Sequence, residues 1–177
     1  MHIFLTSSHH DKNIRSVRDG MTAGEVTSSI MERINTFLQR RSMAVTTREE
    51  IPGDDAAGIV ARSQADLFVS LQCHGERSAA VGSAVFCQPS SHASLVLAKC
   101  VMRHMVYHVN VISRGVKWSI PGEDEAQILE YISIPAIYIN LGFITNAHDA
   151  WLLSQRQEEY ARSISYGILE YKKHHNA

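Results

Sequence analysis

Five polar residues stand where an α/β protein would do its chemistry. His9, Gln72, His74 and Asn140 follow or close apolar runs, and Glu25 opens the helix after the first run. In open α/β sheets ligands gather outside the carboxyl ends of the strands, so separate segments of the chain would deliver these side chains to one place. The chain has ten histidines, which raises metal binding as one option and a solvated surface as the other; position decides between them. Other candidates are poorer. His104 and His108 lie four apart on a helix, but no Glu follows the first, and the pair reads as solvent-facing. His174 and His175 fall in a frayed tail. No glycine-rich phosphate loop and no G-x-S-x-G elbow is present.

The elements that must position these residues alternate between strand and helix. Ile3 to Thr6 reads as a strand ending in a polar loop. After Gly20 a helix begins, with Val26, Ile30, Ile34, Phe37 and Leu38 recurring every three or four residues. Met43 to Thr47 reads as a second strand before the Pro52-Gly53 turn, and a short helix covers Asp55 to Arg62. Asp66 to Leu71 is an almost unbroken apolar run of the kind buried inside parallel sheets. Gly82 to Cys87 reads as another strand, and Ser91 caps a helix running to about Tyr107. Arg114 to Lys117 reads as a loop, Ile128 to Ile132 as a short strand, and Pro135 to Leu141 as a buried strand ending at Gly142. The last helix spans about Gln155 to Lys173. This alternation predicts a three-layer α/β/α fold with a mostly parallel, twisted sheet, in one domain over residues 1–177.

Composition narrows the function classes. A hydrophobic fraction of 45% and a charged fraction of 20% are those of a globular protein rather than a disordered one. With 17 Lys and Arg against 18 Asp and Glu, there is no electrostatic reason to expect nucleic acid or an anionic membrane as partner. Cys73, Cys87 and Cys100 form no even framework and no C-x-x-C, so they read as buried reduced thiols. The opening residues look like a strand rather than a signal peptide, and no apolar run approaches the roughly 20 residues of a membrane span. The expectation is cytoplasmic synthesis, with any action outside the cell following lysis or another unconventional release.

The segments resemble a known family in order along the whole chain. His2 to His9 (HIFLTSSH) resembles the opening strand and first metal ligand of the zinc-dependent N-acetylmuramoyl-L-alanine amidases of the amidase-3 type. Glu25 with its helix resembles the second ligand, and Thr47-Arg48 a pair after the second strand. Ala65 to Leu71 (ADLFVSL) resembles the family's ADLFVSIH strand, and Arg114 to Lys117 reproduces RGVK. Pro135 to Asn146 (PAIYINLGFITN) resembles PAVLVELGFITN. The resemblance implies a zinc ion held by two His and one Glu, with a water in the open position. It also implies a late-strand Glu that moves the proton while the bond between muramic acid and L-alanine is cut.

Two positions depart from that pattern. The third ligand's place holds Gln72, and the general base's place holds Asn140. A glutamine oxygen is a harder and weaker ligand that suits zinc less well than imidazole, and an amide is not a base at any ordinary pH. His74, two residues beyond Gln72, is a possible replacement ligand. A strand step of roughly 6.6 Å separates the two positions, so it would need a bulge near Cys73. Asp11 or Glu76 are possible replacement bases. The remaining readings stay open: Glu25 either binds metal or favours the positive end of its helix, and Gln72 and Asn140 either satisfy one another or nearby backbone. Arg114 and Lys117 either are solvated charges or meet acidic groups of a stem peptide. The expected function is an amidase homologue with weak or lost hydrolysis that binds peptidoglycan fragments or a protein partner at the cell wall. The alternatives are an active zinc amidase using His74 and a structural or assembly protein reusing the fold.

Overall fold

The computed structural model describes residues 1–7, 13–51, 55–75, 80–122 and 126–175. Its elements in chain order are β1 (His2–Ser7), α1 (Ala23–Gln39), β2 (Ala44–Arg48), α2 (Ala56–Ser63), β3 (Leu67–His74), β4 (Ser83–Cys87), α3 (His92–Val109), β5 (Ser113–Trp118), a 3-10 helix (Gln127–Tyr131), β6 (Ala136–Phe143), α4 (Ala147–Gln155) and α5 (Gln157–His175). The strands form one six-stranded sheet in the order β2-β1-β3-β6-β4-β5. The β1, β2, β3 and β6 neighbours pair in parallel, and β4 pairs antiparallel to β6. The predicted mostly parallel three-layer architecture is the one observed.

Alternation along the central strands sorts the two faces. Ile3, Leu5, Leu67, Val69, Leu71, Ile137, Ile139 and Leu141 point to the face covered by α1, α3 and α5. Phe4, Phe68, Ala136 and Tyr138 point to the opposite face, under α2 and the 3-10 helix. The predicted stripe of α1 is real: Val26, Ile30, Ile34 and Leu38 are all buried, and truncating one of them to Ala would cost about 2–5 kcal/mol. Every residue of β3 is buried, as its apolar run requires of a strand covered on both sides. Cys73, Cys87 and Cys100 are free and buried.

Several expectations are corrected. Arg114 to Lys117 lies in β5 and not in a loop. This edge strand is half exposed, and its polar residues hide the strand signal. Ser83 pairs Ser113 while Val85 pairs Val116, so β5 carries an extra residue, with Gly115 at φ 88°. The segment Ile128 to Ile132 lies in a 3-10 turn and not a strand. Ala126, Leu129 and Ile132 recur every third residue and share one buried cluster, which is the period of that helix. The helix α4, absent from the sequence reading, is capped by Asn146, whose side-chain oxygen accepts from His148 N and Asp149 N. His104 and His108 are not simply solvated: their rings stack at 5.5 Å on one another, and both lie against Tyr166. The tail residue His174 belongs to α5. Among the described residues no helix is long and apolar enough to cross a membrane.

Candidate functional site

The parallel ladder sets Gln72 of β3 directly opposite Asn140 of β6. They are 1% and 2% exposed, on the face that carries Tyr138 and Phe68. They do not satisfy one another through their side-chain oxygens. Asn140 Oδ1 accepts from Gly142 N at 3.0 Å, whereas buried Gln72 Oε1 has no hydrogen-bond partner among the described residues. Ser70 Oγ and Thr6 Oγ1 are likewise buried without a partner, and these two residues are register partners on β3 and β1. Three unmet polar atoms thus run along one sheet face towards the strand ends. Each unmet acceptor costs about 1–3 kcal/mol, so an ordinary core would not accumulate them.

A bulge shapes the end of β6. Gln72 pairs Asn140 but His74 pairs Phe143, so two residues on β3 face three on β6. Gly142 takes up the extra length at φ 149°, a value that L side chains rarely adopt. Asp149 holds this turn: its Oδ2 accepts from Phe143 N at 2.9 Å and from Gly82 N at 2.8 Å. The Leu141 carbonyl accepts from Ser83 Oγ at 2.7 Å and Tyr160 OH at 3.1 Å. Asp149 was not among the predicted residues. Its signal was the Asn146 cap, which places an acidic residue at the third helical position.

The irregularity therefore sits in β6, and β3 carries no extra residue near Cys73. His74 stays a strand step beyond Gln72 on the same face, 8% exposed. Its Nε2 lies 3.1 Å from Tyr138 OH, and its ring packs against Phe143 with centroids 6.2 Å apart. Arg114 Cζ lies 5.0 Å from the Phe143 ring centre and Lys117 Nζ 5.6 Å from that of Phe86. Arg114 thus sits over an aromatic ring at the carboxyl end of β6, whereas Lys117, paired to Phe86 opposite Tyr138, lies further back along the same sheet.

Glu25 is exposed and closes a capping box with Thr22. Its Oε2 accepts from Thr22 N at 2.7 Å and Thr22 Oγ1 at 2.9 Å. These bonds, the backbone one foremost, hold its carboxyl below the usual glutamate value. Beside it a cavity of about 440 Å³ is lined by Asn13, Glu25, Glu49 and Glu50 among others. Ser7 at the end of β1 donates to the Glu49 carbonyl at 3.1 Å, which joins this groove to the carboxyl edge of the sheet. His9, Asp11 and Glu76 lie outside the described residues.

A catalytic zinc needs three strong protein donors and an open position. Among the described candidates, Glu25 gives an oxygen to its own helix cap, Gln72 offers an amide oxygen, and the His74 imidazole engages Tyr138. This donor set does not fit a complete zinc shell.

The fold is thus an α/β sheet protein with a buried polar pair, Gln72 and Asn140, near the carboxyl ends of β3 and β6. The family model described as Amidase_3, N-acetylmuramoyl-L-alanine amidase, matches residues 3–170, and the chain belongs to that family. The N-acetylmuramoyl-L-alanine amidase LytC of Bacillus subtilis (strain 168) is 26% identical over 178 residues, which cover 96% of this chain and 35% of LytC. The chain thus spans about a third of that relative's length. The crystal structure of an N-acetylmuramoyl-L-alanine amidase from Clostridium difficile 630 superposes with a TM-score of 0.83 at 23% identity, covering 97% of this chain and 96% of that one. The CwlD amidase of Clostridioides difficile, solved in complex with the GerS lipoprotein, gives a TM-score of 0.82 at 19% identity over 97% of this chain and 98% of that one.

Proposed function

We propose that this domain is a degenerate N-acetylmuramoyl-L-alanine amidase homologue that retains recognition of peptidoglycan fragments while its hydrolysis is weak or lost. The observation that carries this reading is the Gln72–Asn140 pair, two buried amides where the family resemblance calls for a zinc ligand and a proton carrier. Neither amide can take up a proton from an attacking water, and loss of general-base help alone costs roughly 10²–10⁴ in rate. With zinc held by His9, Glu25 and an amide, the resemblance implies a metal site well below the strength of a complete one.

Recognition has its own supports. The exposed Arg114 flanks the carboxyl end of β6 over Phe143, and exposed Lys117 lies further along β5; their charges can meet the carboxylates of an extended stem peptide. A protein partner is the other occupant of the same surface, and the CwlD–GerS complex gives a precedent for a domain of this fold docking a protein. An active zinc amidase recruiting His74 has less support, because its Nε2 contacts Tyr138 and β3 carries no extra residue to shift it. A pure scaffold would ignore peptidoglycan.

The test is co-sedimentation with purified sacculi together with an assay for released stem peptides. Retention on sacculi with little release is expected, and retention should fall in an Arg114→Ala/Lys117→Ala variant. Release at rates normal for the family would overturn the reading, as would failure to bind sacculi at all.

A further inference from the structure

Away from the strand ends, helices α3 and α5 bring a second group of donors together. Cys100 lies on α3, and Glu170 and His174 lie one turn apart on α5. Their donor atoms all lie within 4.8 Å of one another. Glu170 Oε1 is 3.6 Å from His174 Nε2, and Glu170 Oε2 is 3.0 Å from Nε2 of His104, one turn past Cys100. Residues four apart share a helix face, so the pairs Cys100/His104 and Glu170/His174 meet across the α3–α5 seam. A cavity of about 710 Å³, lined by Cys100, Arg103, Tyr171 and His174 among others, opens beside them.

We propose that Cys100, Glu170 and His174 form a binding site for a zinc-class divalent cation, with water in the fourth position and His104 orienting the Glu170 carboxylate. A thiolate, an imidazole and a carboxylate are the mixed donors that zinc prefers, and a hydrogen-bonded neighbour behind a ligating group is its usual support. On binding, the Cys100 thiol proton and any proton on His174 pass to solvent, leaving the thiolate and the neutral imidazole as ligands, as the ion sheds water. Arg103 competes, because its guanidinium also bonds Glu170. Its side chain is 63% exposed, so it turns to water when the ion enters. The site lies on the opposite side of the sheet from Gln72 and Asn140. Its ion pins α3 to α5 and takes no part in hydrolysis.

Titration of the full chain with cobalt(II), read by thiolate-to-cobalt charge-transfer absorption, tests this site without any activity assay. Wild type should develop the band and lose it when zinc is added. Cys100→Ser should abolish it and Cys87→Ala should keep it. His174→Ala, at the exposed end of α5, should weaken binding at least about tenfold, the loss already seen when a mere supporting partner is removed. Arg103→Ala should strengthen binding by freeing Glu170. A wild-type protein without the band, a band that survives Cys100→Ser, or unchanged affinity in His174→Ala would overturn the proposal.

Discussion

Asn140 faces Gln72 across the β3–β6 ladder, yet its side-chain oxygen turns along its own strand to the Gly142 amide at 3.0 Å. Gln72 Oε1, itself an acceptor, is buried without a hydrogen-bond partner among the described residues. An unmet acceptor is replaced by an apolar group at little cost. Gln72→Met should therefore change stability by less than about 1 kcal/mol, or raise it. Urea denaturation measures this, and a loss above about 2 kcal/mol would mean that the amide is satisfied in solution.

The bulge that aims Asn140 depends on Asp149. Hydrogen bonds to a charged acceptor contribute about 1.5–3 kcal/mol each, and Asp149 Oδ2 accepts two from buried amides. Asp149→Ala should destabilise the domain by about 3 kcal/mol, and Asp149→Asn by less, since it keeps an acceptor. Gly142→Ala should cost about 1–3 kcal/mol, because Gly142 holds φ 149° and a new Cβ would lie 3.1 Å from Asp149 Oδ2. Equilibrium unfolding of the three variants checks this order.

The Thr22–Glu25 capping box predicts a pH dependence. The Glu25 carboxyl sits below its ordinary value of 4.5 in the folded chain. Its contribution is therefore fully present above pH 4.5 and is lost as the pH falls through the lowered folded value. Urea midpoints followed down from neutral pH should fall less steeply in Glu25→Gln than in wild type. Parallel curves would show that the carboxylate makes no such cap.

Much of this arrangement was legible in the residues. The stripe from Val26 to Leu38 and the apolar run into β3 found their elements because burial imposes their periods. Gln72 and Asn140 were visible as amides at strand ends. Other features were hidden for physical reasons. The edge strand β5 pairs on one side only, so polar Arg114 and Lys117 sit in it at no cost. The 3-10 turn repeats every three residues, and over so short a stretch this passes for alternation. The α3–α5 donor group joins residues 70 positions apart, and only packing of the two helices brings Cys100 to Glu170. The Thr22-x-x-Glu25 pattern was a capping signal in plain view, and it explains the exposed carboxylate's hydrogen bonds.

The most direct measurement compares stem-peptide release from purified sacculi by wild type and by a Gln72→His/Asn140→Glu variant, both folded and supplied with zinc. The account predicts release by the double variant at least about 10² faster than by wild type, the smallest gain expected from restoring a general base. Equal rates, with wild type turning over as a competent amidase, would contradict it.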